Sequence, residues 1–362
     1  MRRSIPLTAA AAVAVAIGAT TAVAAPATAA PKAPSSGPPT VLAEHLVGPL
    51  TFDLSADGVI TVGQSFLGEV TRIAGGSSET LSQGPDSTGV SVLGPTVTWS
   101  ERAGDEQTIE GSWLKSSGPA GDTSIDLLAW EQANNPDGDS WYGFEEISDE
   151  CAATLPPFVN PRYQGLVDTH AYGTLALPGV TYVADSGMNA VLKVVGDEVS
   201  TVAVLPPQPL VVTDEMRVVG EVEGQPIVLD ECVVGLTYDA EPVPTDVEMG
   251  TDGMLYVSTL PGAPGLGFPY GSVYRVDPVS GDSALVATGF AGATGLAVAP
   301  NGTVYVSQMF GGKVSAITRD GSVSTFAEVD SPAGVEWQSG KVVVSAGVFG
   351  DGRIVSYPVR GR

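Results

Sequence analysis

A seven-residue pattern recurs six times in this chain, and no other feature restricts its fold as strongly. It reads "DGVITVG" at 57–63, "GPTVTWS" at 94–100, "PGVTYVA" at 178–184, "DGMLYVS" at 252–258, "NGTVYVS" at 301–307 and "SGKVVVS" at 339–345. Each copy opens on a turn residue, usually Gly after Asp, Asn or Ser, and continues into a β-branched and aromatic run, which specifies a turn followed by a strand. A short apolar strand precedes the pattern ("TDVEMGT", "TGLAVAP", "AGVEWQS"), a third strand follows ("GEVTRIA", "GSVYRVD", "GKVSAIT"), and a Gly-containing hairpin leads to a fourth ("SALVATG", "SVSTFAE"). Four antiparallel strands per unit, at 37 to 50 residues where no insertion intervenes, make one propeller blade. The expectation is an all-β, six-bladed β-propeller. A solenoid would need capping ends, and none is evident.

The ends of the chain supply a closure. The last unit offers only "GVEWQ", "KVVVSAG" and "RIVSYPV" before Arg362, while "VLAEHLV" at 41–47 stands unassigned in front of the first unit. Pairing that N-terminal strand with the last blade would close the ring and hide both edges. Apolar residues on both faces of a strand, as in Leu255, Tyr256 and Val257, fit a blade sandwiched between two neighbours.

Two insertions interrupt the period, at about 130–170 and 206–243, and each carries one of the two cysteines, Cys151 and Cys232. Both insertions leave after a fourth strand and return at a first strand, so both should emerge on one face of the disk. A Cys151–Cys232 disulfide would staple them into a cap over the channel mouth. The first insertion opens on "LLAWEQANNPDG", a short helix from Leu127 that ends at Asn134, Asn135 and Pro136.

Arg2 and Arg3 lead into "AAAAVAVAIGATTAVAA", which ends among small residues and reads as a secretory signal peptide over 1–29, with cleavage after Ala24 or Ala29. The run is too rich in Ala and Thr for a stable span, so no membrane segment is expected after cleavage. A Pro/Ser-rich linker over 30–40 precedes the propeller, 41–362. An even cysteine count in an exported chain fits one disulfide. The chain has 16 Lys+Arg against 41 Asp+Glu, a formal charge of −25. Nucleic acid and anionic membranes are thereby unsuitable partners, because binding either begins by neutralising phosphates.

"LLAWEQANNPDG", "ISDECAA", "GLVDTHAYG", "TYVADSGMNAVLKV", "ECVVGLTYDAEPVPTDVEMGTDGMLYVSTLPG" and "ATGLAVAPNGTVYVS" resemble the ScyD/ScyE family of secreted propeller proteins. The resemblance covers roughly residues 120 to 320. It implies a six-bladed propeller exported from bacteria and related in fold to NHL-repeat and gluconolactonase-type propellers. It brings no biochemical activity with it. The first two units depart from the family pattern, having lost the Pro-Asp-Gly turn and the tyrosine.

Ligands of a propeller collect where loops feed the innermost strands. The candidates there are Asp168 and His170 in "VDTHAYG", Asp185 and Asn189 in "VADSGMNAV", Asp246 in "PTDVEMG" and Thr294 in "ATGLAVA". A metal-dependent lactonase, lyase or isomerase would use Asp168, His170 and Asp246 as catalytic groups with a divalent cation such as calcium, since hard oxygen ligands from several blades would have to converge. The equivalent positions in the first, fifth and sixth units are Thr51, Gly295 and Ala333, so the acid set is thin and no cofactor is expected. His170 also reads as a hydrogen-bonded residue capping a blade. The aromatics Trp130, Trp141, Tyr142 and Phe144 read as the small core of the cap or as a stacking surface. "ANNPDGDS" fails as a calcium loop because Ala133 stands at the first ligand position. The favoured expectation is a monomeric, non-catalytic binding or scaffold protein that takes a small molecule, glycan or protein at the capped face.

Overall fold

The computed structural model describes residues 33–104, 108–157, 159–222 and 225–360. The segment read as a signal peptide lies outside the described residues.

The turns of the repeat form because their residues satisfy the backbone locally. In "NGTVYVS", Gly302 adopts a φ of 81° that a side chain would resist. Its N–H donates to Ala299 O at 2.8 Å, and Thr303 N–H donates to the Asn301 side chain at 3.0 Å. The following strand, Val304–Gln308, is the second of a four-stranded antiparallel meander, as the sequence pattern predicts. The described residues form six such meanders, over 49–83, 87–126, 171–204, 244–290, 293–328 and 335–360, the last completed from the N-terminus. We call them blades 1 to 6. Their first strands, Pro49–Leu54, Ser87–Leu93, Ala171–Leu177, Pro244–Met249, Ala293–Val298 and Val335–Gln338, touch one another in that order, and the sixth touches the first. The result is a closed β-propeller.

Alternation along one strand shows what holds the blades together. Val304 and Val306 are buried with Val273 and Phe290 of blade 4. Tyr305, between them in sequence, faces the other way, stacked on Trp337 of blade 6 at 5.8 Å and edge-on to Phe326 at 4.9 Å. A period of two therefore serves two separate cores, and each such side chain contributes roughly 1.5–3 kcal/mol on full burial.

The closing blade is built as the ends of the chain imply. Thr40–Leu46 pairs antiparallel with Gly352–Arg360, matching Val41 with Val355. Part of the segment read as linker is also tied down: Ser35 and Ser36 pair with Arg360 and Val359. The Gln338 side chain donates to Ser55 O at 2.8 Å and fastens blade 6 to blade 1.

The insertions do more than loop. Trp141–Phe144 and Arg162–Gln164 of the first join Gln208–Val211 and Thr237–Ala240 of the second in one four-stranded sheet. Phe144, Leu210, Met216, Leu229, Val233 and Tyr238 form its core. Cys151 and Cys232, 81 residues apart, are joined by a disulfide. No helix among the described residues is long and apolar enough to cross a membrane.

Candidate functional site

The site begins with the short helix Leu127–Asn134. Asp126 caps it by accepting Ala129 N–H at 2.8 Å, and Asn135, at φ 31°, ends it. This places Glu131, fully buried, under the loop that leads into blade 3. Its carboxylate accepts the N–H groups of Asp168 at 3.3 Å and Thr169 at 2.9 Å. From the other side Asp185 accepts Thr169 Oγ1 at 2.6 Å and the N–H groups of His170, Gly187 and Met188 at 2.9, 3.1 and 3.0 Å. Residues 168–170 are thus clamped between two buried carboxylates.

A third carboxylate joins the cap to this frame. Asp137, 1% exposed, accepts Tyr142 Oη at 3.0 Å and Asn189 Nδ2 at 2.9 Å. Asn189 Oδ1 in turn accepts Val243 N–H at 3.1 Å, where the second insertion returns to blade 4. Asp185 and Asn189 are therefore committed to internal bonds and hold other residues in place.

Beside the frame lies a cavity of about 500 Å³, lined by Arg102, Gln132, Asp168, His170, Ser186 and Glu241. His170 Nε2 lies 3.5 Å from Asp86 Oδ2. Its ring meets Tyr172 edge-on at 5.9 Å. Burial pushes the Asp168 carboxyl up to about 8, and the charges of Glu241, Glu131, Asp137 and Asp185 add to the effect. Glu131 is pushed up to about 7, first by burial and then by Asp185 and Asp137, against the stabilising N–H of Thr169. Asp137 and Glu241 are raised as well, again chiefly by burial. The cause is common to all: several carboxyls share one poorly solvated region, where the charged form is disfavoured.

A second cavity of about 330 Å³ lies within the cap, lined by Phe144, Tyr163, Leu166, Tyr238, Glu241 and Pro264 among others. Tyr163 Oη donates to Glu241 at 3.0 Å.

The axis of the propeller is nearly filled. The gap lined by Thr51, Val90, Thr174, Asp246, Thr294 and Glu336 measures about 20 Å³, room for about one water. Asp246 accepts Val247 N–H at 2.9 Å and Leu296 N–H at 2.8 Å and so ties blade 4 to blade 5. Burial pushes its carboxyl up to about 7 and that of Asp53 up to about 6; burial first, and then the neighbouring carboxylates, raise Glu248 and Glu336 well above the ordinary range. Thr294, 3% exposed, bonds Ser307 Oγ at 3.1 Å.

The candidates named from sequence therefore separate into three places. Asp168 and His170 share the 500 Å³ cavity, Asp185 and Asn189 build the frame behind it, and Asp246 and Thr294 line the axial gap. Asp168, His170 and Asp246 do not line one cavity. Among the described residues no group of three or more His, Cys, Asp or Glu side chains is placed to hold a metal ion. The aromatics are sorted too: Tyr142 and Phe144 are buried in the cap, Trp130 packs against blade 3, and Trp141 is 48% exposed beside Arg162. Sequence reasoning missed Asp86, Arg102, Asp137 and Glu241 as site residues. Glu241 carried the one usable signal, an acid in "YDAEPVP" where the second insertion rejoins the ring.

Fold and site together define a β-propeller with an off-axis polar cavity beneath a disulfide-linked cap. No family model matches the chain, and no curated protein matches it in sequence. Solved propellers do resemble it. Virginiamycin B lyase from Staphylococcus aureus, solved with quinupristin, aligns at TM-score 0.50 and 13% identity over 90% of this chain and 98% of its own. The PQQ-bound aldose sugar dehydrogenase of Streptomyces coelicolor aligns at TM-score 0.50 and 14% identity, over 91% of this chain and 100% of its own. A Bacteroides thetaiotaomicron protein of unknown function aligns at 0.53 and 15%, over 90% and 73%. At such identities the likeness speaks for the fold alone.

Proposed function

We propose that this chain is a secreted bacterial propeller of the ScyD/ScyE type that binds a small molecule in the cavity beneath its cap without transforming it. The observation that carries this reading is the 500 Å³ cavity, whose wall is preformed: Asp168 and His170 are positioned by Glu131 and Asp185 before any ligand arrives. Concave sites of this size with a few fixed polar groups suit a small ligand. The signal-like N-terminus and the Cys151–Cys232 bond support export to an oxidising compartment. A thermal-shift screen of sugars, lactones, amines and carboxylates on the mature protein tests the reading. The expected hits stabilise the wild type and are weakened by His170→Ala and Asp168→Asn; hits indifferent to both variants would sink it.

A second reading rests on the approach of His170 to Asp86 in the same cavity wall as Asp168, whose carboxyl burial raises to about 8. Such a set could exchange protons with a substrate, as in a lactonase, lyase or isomerase. Turnover of any lactone or ester, abolished by His170→Ala and measured with and without chelator, would replace the binding reading with this one.

A further inference from the structure

Resting on the binding reading above, we infer that the capped site selects an amphiphilic amine, with its ammonium group between Asp168 and Glu241 and its apolar arm in the cap. Three observations carry this.

The first is adjacency. The polar cavity and the cap cavity share Leu166 and Glu241 in their walls, so one ligand spanning both would pass Glu241. The second is the contrast between the two linings. On the cap side the walls are Phe144, Tyr163, Tyr238, Val159 and Leu229, and Phe144 meets Tyr238 edge-on at 5.0 Å. Those rings suit an aromatic or branched aliphatic arm and can add a cation–π contribution beside Glu241.

The third is the sign of the charge. Asp168 and Glu241 line the polar side, with Glu131, Asp137 and Asp185 behind them. Arg102 and His170 line it as well: His170 Nε2 faces Asp86 at 3.5 Å, and Arg102 has a partner of its own. The Asp168 Oδ1 atom on the wall and Asp137 Oδ1 behind it are buried and receive no hydrogen bond among the described residues, and His170 Nε2 on the same wall makes none either. The wall is thus crowded with carboxyl groups whose mutual repulsion a cation would relieve. An ammonium group brings up to three donors and a compensating charge, whereas a carboxylate would add to the repulsion and an alcohol would leave it unrelieved.

The test is titration calorimetry of the mature, oxidised protein with 4-phenylbutylamine, 4-phenylbutanol, 4-phenylbutyrate and butylamine. The expected order places 4-phenylbutylamine at least tenfold tighter than the alcohol and than butylamine, with the carboxylate showing no binding. Glu241→Gln should weaken the amine at least tenfold and leave the alcohol unchanged. Leu166 is 54% exposed, so Leu166→Trp, which adds bulk without charge, is a second variant that keeps the fold; it should weaken 4-phenylbutylamine more than butylamine. Equal binding of amine, alcohol and carboxylate, a preference for the carboxylate, or no binding of 4-phenylbutylamine would each overturn the amine inference. The binding reading would survive those results if another compound bound in a manner sensitive to Asp168→Asn, and would fall with the inference if none did.

Discussion

Blades 3 and 5 answer the same structural need with different chemistry. One residue beyond the repeated pattern stands Gln308 in blade 5, Gln64 in blade 1 and Asp185 in blade 3. All three accept an N–H from the loop feeding their own blade: Ala291 at 3.0 Å, Val47 at 2.9 Å and His170 at 2.9 Å. The amides also donate, Gln308 to Ser315 and Gln64 to Thr71, and close locally. A carboxylate has no proton to give. Asp185 instead gathers three more donors and brings a negative charge into the buried frame. Glu131, Asp137, Asp168 and Glu241 add to it where the insertions meet blade 3. A neutral side chain thus seals one part of the ring, and an ionisable one helps make another part an acidic wall.

The largest test of this contrast is Asp185→Ala. It strands four donors, each costing about 1–3 kcal/mol when buried; we expect a loss on the order of 5 kcal/mol by denaturant unfolding. Gln308→Ala, assayed in parallel, should cost about 2 kcal/mol because it orphans one N–H and one hydroxyl. Equal losses would show that the two residues do equivalent work and would break the comparison.

Opening the disulfide comes next. Replacing Cys151 and Cys232 by Ser releases a bond that closes an 81-residue separation; the expected loss is about 3 kcal/mol. It should be confined to the cap. Hydrogen exchange should rise over 141–164 and 208–240 and stay unchanged in the Val304–Gln308 strand. Uniform loosening of both would mean that cap and ring unfold as one unit.

A pH comparison separates the regions by charge. Asp168 and Glu131 have carboxyls raised to about 8 and about 7 in the folded protein. Groups raised by folding stabilise the protein while protonated, and that contribution is lost as pH climbs from the unfolded carboxylate value through the folded one. The wild type should therefore melt higher at pH 5 than at pH 8. Asp168→Asn should narrow that gap and at pH 8 stabilise by roughly 2 kcal/mol after solvent screening. A wild type that melts higher at pH 8 would refute the assignment of a strained, charge-crowded wall.

The smallest effect belongs to the contact between blades 6 and 1. Phe349 is 60% exposed and stacks on Phe66 at 6.5 Å. Phe349→Ala should cost about 0.5–1 kcal/mol and leave ligand binding under the cap unchanged; altered binding would extend the site beyond the cap.

The sequence by itself determined the ring. Turn residues, alternation and strand length are short-range properties, so "NGTVYVS" and its five relatives identified the second strand of every blade, and "VLAEHLV" could be matched to the incomplete last blade. Two cysteines in two insertions likewise specified one crosslink. The site was legible only in part. Asp168 and His170 were found because they sit where a strand begins, but their surroundings come from residues as far apart as Asp86, Glu131 and Glu241. No periodicity relates those positions. Only the closed ring and the packing of the insertions on it bring them together, and only burial, a property of the packed chain, raises the carboxyls of Asp168, Glu131 and Glu241 above their ordinary range. Tertiary structure also decided that Asp246 and Thr294 lie in the nearly filled axis, because the space left between six strands depends on how closely the blades pack.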